Sequence, residues 1–353
     1  MTKPRMSVIL NTARTGHSMH GLMDVHHFNY TIDALKKQTF KDFELIISDY
    51  IHANRVFDWS TLSADFPIYH VPISHSEFHR RRYCAISATK NNGISFSSGE
   101  YLIFLDDCCT FGPDFLRSIL IQYITRKLFV NALHNKKMGD AIYIGGDGNP
   151  VRDCRYQLLD QLRVNEMINN FHLYGYSSCS AQAAFELNGF DEMYDGSRQL
   201  EDIDFGERLK KAGYKIALNR NIFIYEQEHL KIGFKEGDDK GPWSIHKESD
   251  TGGIKENLKC NGPYFYLKTR REPKDFIEAN RRPMTPEEIN LTKPCYLRRE
   301  DNLCKSSNAS CNWLEQDHMT HEDAQAYFTH PPVFDLFEMN KENKGKKENF
   351  KVN

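Results

Sequence analysis

The 353-residue chain has no apolar run of the roughly 18 residues that a membrane-spanning helix needs. It has no excess of either charge: 46 Lys and Arg stand against 48 Asp and Glu, a formal net charge of −2. That balance argues against the chain-wide basic field of a dedicated nucleic-acid binder, leaving only a local patch, HRRR at 79–82. The nine cysteines include no Cys-x-x-Cys pair. Cys295, Cys304 and Cys311, although near His318 and His321, therefore lack a standard zinc spacing and read as unpaired thiols. Cys84, Cys108, Cys109 and Cys179 lie in apolar segments, as reduced thiols of a cytoplasmic protein do. The basic start MTKPR is followed by only four apolar residues before Asn11, so it reads as a first strand and not as a signal peptide. Without such a signal the Asn-x-Ser/Thr triplets at Asn29, Asn290 and Asn308 carry no weight. No internal repeat is seen, and the segment after the first strand, NTARTGHSMHG, is too poor in glycine for a phosphate-cradling loop.

What is present is a globular composition, 40% hydrophobic, 27% charged and 12% aromatic, in a chain long enough for one large domain and an appendage. The N-terminal part alternates. MSVILNT (6–12) is a short strand, FNYTIDALKKQTF (28–40) has one apolar helical face, and DFELIISDY (42–50) and FPIYHVPIS (66–74) are strands. RRYCAISATKNNGISFS (81–97) is a helix, and EYLIFLDD is the next strand. This order predicts an α/β fold with a mostly parallel sheet between helical layers, whose ligands bind at the carboxyl ends of the strands. Asn11, Asp49 and Asp106 sit at such ends and are expected to converge.

The stretch YLIFLDDCCTFGPDFL closes a buried strand on Asp106 and Asp107 before a Gly-Pro-Asp turn into a helix. Paired carboxylates there are costly unless a cation or charged ligand accompanies them; the plain reading is a strand-to-loop boundary with Asp as turn former. Further on, 140–157 reads as a short strand with turns, and 157–171 as a helix. SAQAAFELNGF is a helix closed by Gly189, and LEDIDFGERLKKAGYKIAL is a helix closed by Gly213 and followed by a strand. Glu201, Asp202, Asp204 and Glu207 crowd the start of that last helix, where carboxylates complement the dipole; that accounts for Asp204 and Glu207. Past 235 the alternation fades. The expected division is a catalytic domain over 1–235, a helical and loop-like extension over 236–340 that contacts an acceptor or a second subunit, and a disordered basic tail over 341–353.

In order and spacing these segments resemble the GT-A fold nucleotide-sugar glycosyltransferases, in particular the large inverting family (family 2-like). The resemblance covers about residues 5 to 232. It is carried by IDALKKQTFKDFELIISD, ATKNNGISFSSGEYLIFLDDC and LNGFDEMYDGSRQLEDIDFGERLKKAGYKI, with Lys90 standing where the family usually has Arg.

The resemblance implies a Rossmann-like GT-A catalytic domain that moves a sugar from a nucleotide-sugar donor, a UDP-sugar by preference, to an acceptor hydroxyl with inversion. Asp202 would be the general base. Thr12, Arg14, Asp49, Lys90, Asn91 and Asp106 would contact the donor, with Asp49 on the nucleobase. A divalent cation, Mn²⁺ or Mg²⁺, would sit at Asp106/Asp107, with Asp107 and His229 as ligands. Glu201 and Asp191 would face the acceptor. One departure is Cys108, which replaces the last Asp of Asp-x-Asp with a soft ligand poorly suited to hard cations. Another is the insertion carrying His17, His20, His26 and His27, which reads as a solvated loop. The acceptor (saccharide, lipid, protein or nucleic-acid base) and the oligomeric state stay open. The expected location is cytoplasmic or peripheral to a membrane. A sugar-nucleotide-binding protein and a nucleotidyltransferase-like enzyme on the same scaffold are the alternatives.

Overall fold

The computed structural model describes residues 3–13, 28–55, 59, 62–73, 75–76, 79, 85–138, 141–145, 148–169, 173, 175–196, 200–227, 265, 268 and 334–352. Among these, the strands are β1 Met6–Thr12, β2 Phe43–Asp49, β3 Ile68–Pro72, β4 Tyr101–Asp106, β5 Cys109–Thr110, β6 Leu128–Met138, β7 Ala141–Ile142, β8 Glu166–Ile168, β9 Ser177–Ser180 and β10 Lys215–Gln227. The helices are α1 Phe28–Lys36, α2 Ile86–Phe96, α3 Phe115–Arg126, α4 Arg155–Gln161, α5 Ala181–Glu186, α6 Glu201–Lys211 and α7 Leu336–Lys346.

One mixed sheet runs β3-β2-β1-β4-β9-β6-β10-β5, with β7 beside β6 and β8 beside β10. The first four strands are parallel, and β6 and β10 are parallel to each other. β9 lies antiparallel between β4 and β6. The fold is therefore α/β with a mostly parallel sheet flanked by helices, as the alternation predicts. β1, β2 and β4 are buried almost throughout, which is why they read as continuous apolar runs and not as alternating ones. The chain steps from β1 outward to β2 and β3, then returns to the far side of β1 as β4. That reversal leaves a crevice at the carboxyl ends of β1 and β4.

α2 has an unusual interior. Ser87, Thr89, Lys90, Asn91, Asn92 and Ser95 are all buried. They are tolerated because partners meet them: the Asn92 amide donates to Ser48 Oγ at 3.1 Å, and Ser48 Oγ donates to the Thr89 carbonyl at 2.7 Å. Asp195 caps the helix from another segment, accepting from the Ser87 and Ala88 backbone N–H groups at 2.7 and 2.9 Å. Gly93 lets the helix lie on the sheet, since a Cβ there would stand 2.3 Å from Ile9 Cγ2.

Three readings are corrected. β6, eleven residues long, was missed because its polar half, HNKKM, masks the apolar half. The helix expected over 157–171 is shorter and earlier, Arg155–Gln161, and is followed by strand β8. The tail expected to be disordered carries α7 and a 3₁₀ turn over 347–350. The Asn340 amide donates to the carbonyls of Ser95 at 2.8 Å, Ser97 at 3.0 Å and Ile94 at 3.3 Å, at the end of α2. Lys347 pairs with buried Glu44 and donates to Ser98 Oγ at 2.9 Å, and Val352 N–H bonds the Ile68 carbonyl at 3.0 Å. Few apolar residues are used, so composition concealed the order.

Candidate active site

The crevice at β1 and β4 holds a cleft of about 470 Å³ lined by Asp106, Lys90, Glu201 and Asp202, with Gly175 and Leu200 at its wall. The polar groups arrive from three elements, β4, α2 and α6. Asp106 ends β4 and accepts from the Asn11 amide of β1 at 3.1 Å, across the register pair Asn11 and Asp106. Gly175 packs so closely that a Cβ there would lie 2.4 Å from Asp106 Oδ2. Lys90 rises from α2, 3% exposed, and its ammonium donates to Glu201 Oε1 at 3.1 Å and lies 4.8 Å from the Phe190 ring centre. Burial opposes the Lys90 charge, but Glu201, Asp202 and Asp106 together outweigh it and raise its pKa.

Glu201 and Asp202 open α6. The residue before them, Leu200, has φ 77°, a left-handed backbone that costs a bulky L-residue about 1–2 kcal/mol. This bend starts the helix with both carboxylates at the cleft. Asp202 is part-buried and accepts from the Ile203 backbone N–H at 2.8 Å. The helix dipole alone would lower its pKa. Burial, aided by the neighbouring Glu201 charge, overrides the dipole and Lys90 and raises it to about 7.

The other expected site residues are placed elsewhere. Asp49 is fully buried. Its carboxylate accepts from Arg55 Nε at 2.6 Å, Arg55 Nη2 at 2.7 Å and the Ile51 N–H at 3.0 Å, with His70 Nε2 at 2.7 Å. Those four contacts fill a carboxylate's acceptor capacity, so Asp49 is not presented to a nucleobase. Burial raises its pKa, but Arg55 and His70 more than compensate and the net shift is downward. Thr12 donates to Asp107 Oδ2 at 2.7 Å and accepts from Arg55 Nη2 at 3.3 Å. A buried chain thus links Asp49, Arg55, Thr12 and Asp107. Asn91 ties α2 to the Gly-Phe-Asp-Glu turn, donating to the Phe190 carbonyl at 2.8 Å and accepting from the Phe190 N–H at 2.8 Å. Asp191 is buried against Lys268 at 2.5 Å, and Lys268 also meets Asp204 at 2.8 Å. Asp204, far from being a simple dipole partner, holds fully buried Arg208 at 2.7 Å. Arg14, His229 and the histidines 17, 20, 26 and 27 lie outside the described residues, as do Cys295, Cys304 and Cys311.

Among the described residues, no three His, Cys, Asp or Glu side chains gather where a cation could be held. Cys108 is 1% exposed and is not among the residues lining the cleft. With His229 outside the described residues, no chemical step is routed through a divalent cation. Arg55, Gly175, Leu200 and Asp195 were not singled out from sequence; only Gly175, as a glycine beside a strand, offered a local signal.

No family model matches the chain, and no curated protein matches it. Among solved structures 188 chains match. One is a crystal structure of GalNAc-T7 with UDP, GalNAc and Mn²⁺, at 14% identity and a TM-score of 0.44, over 84% of this chain. This chain spans 57% of the length of that one. No residue role is taken from it. Among the described residues, no helix is long and apolar enough to cross a membrane.

Proposed function

We propose that this chain is an inverting glycosyltransferase that uses a nucleotide-sugar donor, with Asp202 as general base. The observation that carries the reading is the placing of Asp202 at the start of α6, lining one cleft with Lys90 of α2 and Asp106 of β4, and burial supports it by raising the Asp202 pKa to about 7. A base whose pKa lies near the working pH is ionised in about half of the molecules at neutrality and accepts a proton efficiently. In the step, the acceptor hydroxyl gives its proton to Asp202 as its oxygen bonds to the anomeric carbon. The bond from that carbon to the diphosphate oxygen breaks on the opposite face, and the nucleoside diphosphate leaves with the electron pair. Asp106 and Lys90 border the same space and orient the donor. The preference for a uridine nucleotide rested on Asp49 alone, and with that carboxylate held by Arg55, His70 and the Ile51 N–H the base of the donor stays open.

The test is a donor screen that reads nucleotide release by chromatography, with Asp202→Asn as control. A general base contributes about 10²- to 10⁴-fold. The variant is expected to bind donor normally and to lose release by that order. Parent-like release from Asp202→Asn removes the base and the inverting mechanism with it. Donor binding without release by the parent protein favours a sugar-nucleotide-binding role.

A further inference from the structure

Glu201 and Asp202 are neighbours in the chain, and both line one cleft that Asp106 borders from β4. Like charges so placed resist ionising together. Among the described residues, Lys90 is the one cation lining that cleft. Its position is over-determined. α2 is fixed at its start by Asp195, against the sheet by Gly93 and at its end by Asn340. The ammonium is buried, bonded to Glu201 and set over the Phe190 ring.

We propose that Lys90 is a positioning residue for the Glu201–Asp202 pair, its ammonium holding Glu201 and serving as the counter-charge that lets both carboxylates face one cleft. This rests on the reading of Asp202 as the base. It also assigns Lys90 a role beyond donor contact. Among the described residues, the charged groups lining the cleft with Asp202 are Glu201 on its own helix, Lys90 from α2 and Asp106 from β4. Of these, Glu201 raises the proton affinity of Asp202 and Lys90 lowers it. Without Lys90 the pair retains a proton to higher pH, and the base is spent at neutrality.

The experiment uses the full chain labelled with ¹³C at the aspartate carboxyls, with Asp202 assigned by its loss in Asp202→Asn. Lys90→Met, which preserves length, is expected to move the Asp202 titration up by about one pH unit or more, a tenfold change in proton affinity. Glu201→Gln is expected to move it down, and Lys90→Arg to leave it near the parent value. The acid limb of the nucleotide-release profile should follow the same shifts. If Lys90→Met fails to fold, Glu201→Gln still decides: an unmoved Asp202 titration overturns the proposal. So does a folded Lys90→Met with the parent titration. If the titrations shift as expected while the parent releases no nucleotide from any donor, the pairing stands and the transferase reading falls.

Discussion

Arg55 grips Asp49 with two donors, Nε to Oδ2 at 2.6 Å and Nη2 to Oδ1 at 2.7 Å, in a pair whose side chains are 1% and 0% exposed. The pair joins the end of β2 to Thr12 at the end of β1, and through Thr12 to Asp107 beyond β4. It crosslinks the strand ends beside the cleft.

Removing one partner of such a pair strands the other charge in the interior. Arg55→Ala is expected to cost about 3–5 kcal/mol at pH 7 by urea denaturation. The folded pKa of Asp49 lies below its unfolded value near 3.8. The stabilisation is therefore full above about pH 4 and is lost as pH falls through the folded pKa. The difference between parent and variant should shrink below that pH. A cost that stays constant from pH 7 to pH 3 contradicts a carboxylate-centred role.

Asp202 behaves oppositely. Its folded pKa, about 7, lies above the unfolded value of 3.8, so the folded state binds the extra proton between them. Stability falls as pH rises through that window. Asp202→Asn removes the penalty, and thermal melts should show it gaining on the parent between pH 5 and pH 8. Equal melting-temperature differences at both ends mean that Asp202 is solvated and unshifted.

Cys108 lies inside, at 1% exposure. Cys108→Asp is expected to lower stability, because burying even a neutral polar group without compensation costs about 2–7 kcal/mol. No gain in Mn²⁺ dependence is expected. A variant that melts like the parent and acquires Mn²⁺-dependent nucleotide release would place this side chain in the cleft after all.

The Asn340 amide satisfies three carbonyls at the end of α2. Asn340→Ala leaves them buried without that donor, a loss of about 1–3 kcal/mol by chemical denaturation. Asn340→Asp, with no amide donor, should do no better. Unchanged stability in both variants shows α7 to be a detachable appendage.

Gly175→Ala tests the cleft wall, since the new methyl would meet Asp106 Oδ2 at 2.4 Å. The expected result is a melting temperature close to the parent with weakened donor binding by calorimetry. Unaltered donor binding removes Asp106 from the donor site.

The sequence alone determined the alternation of strands and helices as far as β4, because helical periodicity and continuous apolar runs are local patterns. It also placed Asp106 at a strand's carboxyl end and Asp202 in a helix's first turn, which is enough to find the cleft. The tertiary structure decided which side chains face it. Lys90 and Glu201 meet across 111 positions, whereas Asp49, Asn91 and Asp191, equally suggestive in the chain, are consumed by buried partners. It also decided the sign of the Asp202 shift: the helix dipole is legible in sequence, but the burial that overrides it arises only when the start of α6 meets Lys90 of α2 and Asp106 of β4 in one cleft. The polar tail was misread for the same reason, since Asn340 and Lys347 are ordered by partners more than 200 positions away, which no local pattern can register.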